Sequence, residues 1–236
     1  MELGEIIKDA LVYPINNVVS LAIYIVLGIV LGIALIGTIL AISAGIAADN
    51  LLAALGISVI GGIIVLLIGF VITGYELDII KYGIERIDES PKLDFVRQFI
   101  NGVKYFVVNI VYMIIPIIVG AILAIFLQHW FASVIDAIIS IVFSLALVMG
   151  VCRLAKTEDL GYALSIGDAI SDISKVGIVK IILFIIIMFI IVLVLSFIGA
   201  AISQWNSIIG GILVGILGVY ITFFAARAIG LLYSEV

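Results

Sequence analysis

Six long apolar segments are the feature of this sequence that most restricts its fold. A helix of about 20 apolar residues crosses the roughly 30 Å hydrocarbon core of a bilayer. Within lipid, backbone N–H and C=O groups must pair inside the protein, and these unbroken segments lack the alternating polarity of barrel strands. The sequence therefore predicts transmembrane α-helices. The six predicted spans cover residues 18–47, 51–74, 103–127, 131–152, 176–201 and 207–229.

The composition excludes a water-soluble fold. Hydrophobic residues make up 66% of the 236 residues and charged residues only 11%, against about 25% charged residues in soluble domains. We expect an all-α integral membrane protein with a single domain, residues 1–236, in which six transmembrane helices form three hairpins. No cleaved signal peptide is expected, because the first span is too long for the apolar region of a signal.

Basic residues occur only in alternate connections between the predicted spans. All 11 Lys and Arg residues lie before the first span, between the second and third or in the first turn of the third, between the fourth and fifth or in the first turns of the fifth, or at the end of the sixth. The connections near Asp49, His129 and Asn206 contain none. The positive-inside rule therefore predicts that both termini are cytoplasmic. The acidic pI of about 4.7 argues against nucleic acid as a partner.

The segments outside the spans show helical amphipathic spacing. In the second of them an apolar stripe begins at Leu77, while Glu76 and Asp78 fall mostly on the opposite, polar face. Asp94 is predicted as the N-cap of the third. We expect these helices to lie at the lipid headgroups or against the bundle, and docking of a cytoplasmic partner is the alternative. The amphipathic segments cover residues 3–13, 76–89, 94–104 and 162–175.

The order of these elements suggests three parallel repeats, each with an amphipathic helix, a transmembrane hairpin and an exit of small and charged residues. An extra cytoplasmic helix ending near Asp88 accounts for most of the unequal spacing. Comparable segments before the hairpins are residues 7–10, 100–103 and 171–173, and comparable segments at their ends are residues 74–75, 152–153 and 226–227.

Three segments carry a family resemblance: GYELDIIK at 74–81, SPKLDF leading to FINGVKY at 90–105, and ARAIGLLY at 226–233. With these segments, the sequence resembles an archaeal multi-pass membrane family known as domain of unknown function family 4013. The family pattern usually has Leu-Pro where this chain has Ser90-Pro91, a departure that preserves the turn. The resemblance implies an archaeal plasma membrane and no particular activity.

Asp136 is the best candidate for an ionisable residue inside a span, about one turn from the outer end. Such residues mark ion or solute paths, but near the interface a carboxylate can reach water. A solvated or helix-capping role is therefore preferred for Asp136, with an ion or solute role as the alternative. A metal site would require Asp49, His129 and Asp136 to converge, and we expect no metal and no cofactor. The single His129 and single Cys152 suggest no catalytic residues, so no enzyme activity is expected.

Small residues inside the spans predict close helix packing. Gly28 and Gly32, like Gly211 and Gly215, are four residues apart on one helical face, which lets neighbouring backbones approach. The partner helix can belong to the same chain or to another protomer.

The third span contains a polar and irregular group formed by Asn109, Tyr112 and Pro116. Pro116 can kink the helix, while Asn109 and Tyr112 can pair across the bundle. Kinked packing is the preferred interpretation, and a small polar cavity is the alternative.

Two function classes are compatible with these features. The preferred class is a noncatalytic membrane scaffold or accessory subunit, with membrane lipids and either further copies or other membrane-complex subunits as partners. The alternative is a transporter or channel for an apolar or lipid-like solute, which needs no charged ligands at the midplane. Extensive helix contacts between protomers would favour the first class, and a lipid-filled apolar groove would favour the second.

Overall fold

The computed structural model describes residues 1–126, 129–205 and 207–236, apart from the side chains of residues 129, 203, 205 and 207–211. These described residues form helices and short connections, without β-strands. Six helices are long and apolar enough to cross a membrane, which confirms the predicted all-α, multi-pass membrane protein. The helices are α1 Leu3–Asn16, α2 Val18–Ala47, α3 Leu51–Ile84, α4 Phe95–Phe126, α5 His129–Thr157, α6 Leu160–Ala163, α7 Ile166–Val176, α8 Ile178–Trp205 and α9 Ser207–Tyr233.

The six long helices pack as three hairpins, α2 with α3, α4 with α5, and α8 with α9. The second helices of the hairpins, α3, α5 and α9, pack against one another in the middle of the bundle. Additional contacts follow a cycle: α3 packs against α4, α5 against α7, and α9 against α1. Each hairpin therefore contacts the helix that begins the next predicted repeat, and the third hairpin closes onto the first.

Two segments predicted as separate amphipathic helices are parts of longer helices. Residues 76–84 continue α3, and residues 95–104 begin α4. No proline interrupts α3 after the membrane span, and helix extension is cooperative, so the helix continues until Arg86 adopts a left-handed φ of 58°. Asp94 accepts a hydrogen bond from the backbone N–H of Arg97 at 3.1 Å, in the manner of the predicted N-cap.

The other two amphipathic segments are helices of their own. Residues 3–13 lie within α1, and residues 162–175 overlap α6 and α7. α1 buries Ile6, Ala10 and Tyr13. Because this apolar face is turned toward α9, the helix packs on the bundle.

Packing between the hairpins is concentrated at one end of the bundle, here termed the polar end. It contains both chain termini, α1, α6, α7 and the connections between the hairpins. Large buried side chains such as Tyr75, Leu154 and Phe224 lie there. Toward the opposite end large apolar side chains are exposed, with Leu52 at 84% and Ile125 at 77%. The hairpins are therefore joined mainly at the polar end, and much of the remaining surface is suited to lipid.

Candidate functional site

Arg227 of α9 is buried at the polar end, with only 1% of the residue exposed. Its guanidinium donates to the carboxylate of Asp9 at 2.8 Å and to that of Asp88 at 2.7 Å. It also donates to the backbone carbonyl oxygens of Tyr82 and Ile87. Because a guanidinium offers five N–H donors in a fixed plane, this one side chain joins α1, α9 and the connection after α3.

Arg153 of α5 occupies a comparable place in the second hairpin and is equally well buried. It donates to the carboxylates of Asp172 and Asp168, each at 3.0 Å. A third donor reaches the backbone carbonyl of Tyr162 at 3.0 Å, and the guanidinium lies 3.7 Å from the centre of the Tyr162 ring. The combined ion pairs and cation–π contact hold α6 and α7 on α5.

Asp172 is a fully buried carboxylate with several donors. Besides Arg153, it accepts hydrogen bonds from the Tyr233 hydroxyl at 2.7 Å and from Lys175 at 2.6 Å. Burial alone would raise the pKa of Asp172, but the donors Lys175, Tyr233 and Arg153 outweigh burial and hold this pKa below its ordinary value. Tyr233 ends α9, so Asp172 connects the second and third hairpins through both α5 and α9.

A third ion pair joins the first and second hairpins. Here the carboxylate lies at the end of the hairpin and the Arg lies on the segment before the next hairpin, the reverse of the other two pairs. Asp78 near the end of α3 is 2% exposed and accepts two hydrogen bonds from Arg97 of α4, at 2.9 and 2.8 Å. Asn101 adds a contact at 3.4 Å. The predicted exposed, polar setting of Asp78 is therefore wrong: the bidentate guanidinium of Arg97 makes its burial between α3 and α4 tolerable.

Three ion pairs form a closed ring at the polar end. Each joins the end of one hairpin to the segment before the next, and the last returns to α1. Buried charges are costly without partners, and all buried side-chain nitrogens and oxygens in the described part of the chain have a hydrogen-bond partner. The ring thus fixes the hairpins relative to one another. We term it the polar interlock: Arg97–Asp78, Arg153–Asp172 and Arg227–Asp9.

Glycines beside the polar interlock bring helix backbones into direct contact. A Cβ atom at Gly74 would lie 1.7 Å from a backbone oxygen of α4, and one at Gly102 would lie 1.9 Å from a backbone oxygen of α3. Where α9 packs on α3, a Cβ atom at Gly230 of α9 would lie 2.3 Å from the backbone oxygen of Ile80 and 2.9 Å from the Cα atom of Gly83. These glycines allow the α3–α4 and α3–α9 contacts.

The glycines predicted as packing residues are placed differently. A Cβ atom at Gly28 would lie 3.6 Å from the side chain of Val219, an ordinary contact between α2 and α9. No described atom would come within 4 Å of a Cβ atom at Gly32 or Gly215. Gly211 belongs to the part of α9 whose side-chain positions are not described. Contact of Gly32 and Gly215 with another protomer stays a prediction.

The structure separates the predicted polar group of α4. The Tyr112 hydroxyl donates to the backbone carbonyl of Ala163 at 2.8 Å, which ties α4 to α6. Asn109 instead donates to a carbonyl of its own helix at 3.1 Å. Pro116 and Tyr112 line a cavity of about 210 Å³ that also includes Ser140, whereas Asn109 lies on a different groove.

Asp136 lies about two turns inside α5 and is half-buried between α5 and α4. It lines a cavity of about 190 Å³ together with Gly120 and small neighbours. A Cβ atom at Gly120 would lie 2.5 Å from the Asp136 carboxylate, so the absence of a side chain there provides its space. Asp136 is therefore not at a helix end, where it could cap.

A partly open cavity of about 300 Å³, here termed the central cavity, lies between α3, α4, α5 and α9. Eight of its lining residues are aliphatic, and Tyr105 and Thr222 add hydroxyl groups. Glu76 is the charged residue of this lining. Sequence periodicity placed Glu76 mostly on the polar face of its helix, and only the packing of the three hairpins reveals that it borders a cavity between helices.

A second, larger groove of about 450 Å³ follows α2, α3 and α4. Its walls include Leu31, Val65 and Phe106. The Thr73 hydroxyl in this groove donates to the Gly69 carbonyl of its own helix at 2.7 Å. Because Thr73 and Asn109 both donate to carbonyl oxygens of their own helices, the groove presents mainly apolar surface.

One family model matches the chain, with the description protein of unknown function (DUF4013), over residues 57–204. The match covers more than half of the chain and includes two pairs of the polar interlock, Arg97–Asp78 and Arg153–Asp172. No curated protein and no solved structure matches. The resemblance inferred from the segments at 74–81 and 90–105 is thereby confirmed. This multi-pass membrane protein belongs to the DUF4013 family of proteins of unknown function.

Proposed function

We propose that this protein is a noncatalytic scaffold or accessory subunit of a plasma-membrane assembly. It associates with further copies of itself or with other membrane subunits, and with membrane lipids. The observation that carries the proposal is the contrast between the two ends of the bundle: ion pairs join the hairpins at the polar end, while extensive apolar surface is uncovered elsewhere.

The polar end faces the cytoplasm in this proposal. Basic side chains from distant parts of the sequence gather there, as in the pairs Lys81–Glu158 at 2.7 Å and Lys180–Glu235 at 2.6 Å. The bias of Lys and Arg toward one side of a membrane protein sets its orientation. Both termini share this end and are therefore assigned to the cytoplasm.

Open glycine positions support assembly through the spans. Gly32 of α2 and Gly215 of α9 have open space where a Cβ atom would lie, and large apolar residues such as Ile33 nearby are exposed. In a membrane, small residues let a helix of another subunit approach closely, where dispersion contacts then stabilise association. A second copy of the chain is the simplest partner to test.

We predict that Gly32→Leu or Gly215→Leu will reduce the oligomeric fraction at least fivefold, because each adds a branched side chain where the approaching helix would lie. The measurement is native mass spectrometry of protein released from membranes with lipids retained. Gly167→Leu is the matched control, since Gly167 is exposed on α7 and also has space around its Cβ position. A monomeric wild type, or equal oligomer in all variants, would contradict assembly through these faces.

The groove along α2, α3 and α4 favours a second candidate function, transport of an apolar or lipid-like solute. Its volume of about 450 Å³ falls within the usual range for small-molecule sites. The same native mass spectra distinguish the scaffold from the transporter. A monomer that retains one lipid-like molecule per chain would favour transport, whereas an oligomer that depends on Gly32 and Gly215 would favour the scaffold.

A further inference from the structure

The carboxylate of Glu76 has no protein partner within the described part of the chain, with neither a hydrogen bond nor an ion pair. Arg97 cannot supply one, because it is engaged by Asp78 in a bidentate pair. Residues two apart on a helix point in nearly opposite directions, so Asp78 faces α4 while Glu76 borders the central cavity. Lys81 is likewise engaged, by Glu158 at 2.7 Å.

A carboxylate at the edge of an apolar cavity is costly unless a cation or a proton neutralises it. An inorganic cation would need several oxygen ligands in place of its hydration shell. The cavity supplies one carboxylate and the oxygens of Tyr105 and Thr222, and its other lining residues are aliphatic. This lining is better suited to an organic cation, whose hydrocarbon part can contact the aliphatic residues.

The size of the cavity limits the ligand further. A volume of about 300 Å³ is at the lower end for small-molecule sites. Aliphatic residues such as Leu147, Val148 and Ile221 form one part of the wall, and Glu76 lies on the facing helix α3. A ligand that is apolar at one end and positively charged at the other would match both parts.

We propose that the central cavity binds an organic ammonium ion with a small aliphatic body, with its charge on the Glu76 carboxylate and its apolar part against α5 and α9. This site is separate from the scaffold function, because it lies inside one protomer and needs no second copy. The oligomer measurement therefore does not test this proposal, and failure of either proposal leaves the other unaffected.

Binding of tritiated hexylammonium to the protein in phosphatidylcholine nanodiscs tests the proposal, with empty nanodiscs as the blank for partition into lipid. Glu76→Gln removes the charge, and we expect it to weaken binding at least tenfold. Glu85→Gln makes the same chemical change at an exposed position of the α3 C-cap and should bind as the wild type does. Excess unlabelled hexanol should compete poorly, because it lacks the positive charge.

Ala225→Leu provides an independent variant that keeps Glu76 and adds bulk to the cavity wall. We expect it to abolish binding as well, with thermal unfolding used to verify that each variant is folded. Absence of saturable binding to the wild type would overturn the proposal. Equal binding to wild type and folded Glu76→Gln would overturn it too, as would undiminished binding to Ala225→Leu.

Discussion

Arg153→Gln is expected to lower the free energy of unfolding by about 3 to 5 kcal/mol, the usual cost of removing one partner from a buried ion pair. Both partners are almost fully buried, with side-chain exposures of 3% for Arg153 and 1% for Asp172. The substitution leaves Asp172 with Lys175 and Tyr233 as donors and removes the contact that holds α6 through Tyr162. Chemical unfolding in mixed micelles measures the loss.

Arg86→Gln is the matched control for that experiment. Arg86 is exposed, and its guanidinium reaches the Ser234 hydroxyl at 3.2 and 3.3 Å without a buried carboxylate as partner. We expect this variant to unfold close to the wild type, since exposed contacts contribute little. Similar stability of the Arg153 and Arg86 variants would show that the α5–α7 ion pair is not part of the core of the fold.

Gly102→Ala is expected to destabilise the protein by about 2 kcal/mol or more, although it adds one methyl group. Overpacking a well-packed interior costs about 1 to 3 kcal/mol, while alanine in place of glycine contributes up to about 1 kcal/mol in favour of a helix. The added atom would lie 1.9 Å from the backbone oxygen of Phe70. Because that oxygen cannot turn away as a side chain can, α3 and α4 must separate.

Gly69→Ala tests whether the loss of stability in Gly102→Ala comes from the close contact with the Phe70 backbone oxygen. Gly69 lies on α3 one residue before Phe70, and a Cβ atom there would have no described atom within 4 Å. We expect this control to be as stable as the wild type or slightly more so, because only the helix preference changes. A fall in stability of equal size in both variants would contradict a close α3–α4 contact at Gly102.

The helices and their hairpins could be predicted from the sequence because span length and apolar composition are local properties. The positions of Asp9, Asp172, Arg153 and Arg227 at comparable points of the repeats were also visible. Their pairing was not, since Arg227 and Asp9 are separated by 218 residues and nothing local selects a partner. The cycle of helix contacts is what brings them together.

Hydrophobic periodicity gave the wrong surroundings for polar residues of α3, because this helix packs against other helices on more than one side. The stripe that begins at Leu77 correctly marks an apolar face of α3, yet Asp78 is buried against α4 and Glu76 borders the cavity. A helix surrounded by α4, α5 and α9 has little outer face at this level. A hydrophobic period assumes one polar and one apolar side, so it cannot identify polar residues that enter an interior pair or cavity.

The packing glycines were missed for a related reason. Spacing of four residues was sought inside the spans, where Gly32 and Gly215 prove to have open surroundings in the protomer. The close approaches occur at Gly74, Gly102 and Gly230, beside the charged residues of the polar end. Two such positions on different helices cannot be paired from one sequence, because the contact depends on how the hairpins dock.

Zero-length crosslinking with a water-soluble carbodiimide in intact membranes tests most directly whether the hairpins are joined at the polar end. The reagent condenses a carboxylate with an ammonium group that contacts it. Lys81–Glu158 at 2.7 Å joins the first hairpin to the second, whereas Lys180–Glu235 at 2.6 Å lies within the third hairpin and Lys175–Asp172 at 2.6 Å lies within α7.

Peptide mass spectrometry of the monomer band then identifies the crosslinks formed within one chain. The structure predicts the Lys81–Glu158 link between two hairpins, together with the Lys180–Glu235 link within the third hairpin and the local link in α7. Recovery of the Lys175–Asp172 and Lys180–Glu235 links without the Lys81–Glu158 link would contradict the joined polar end.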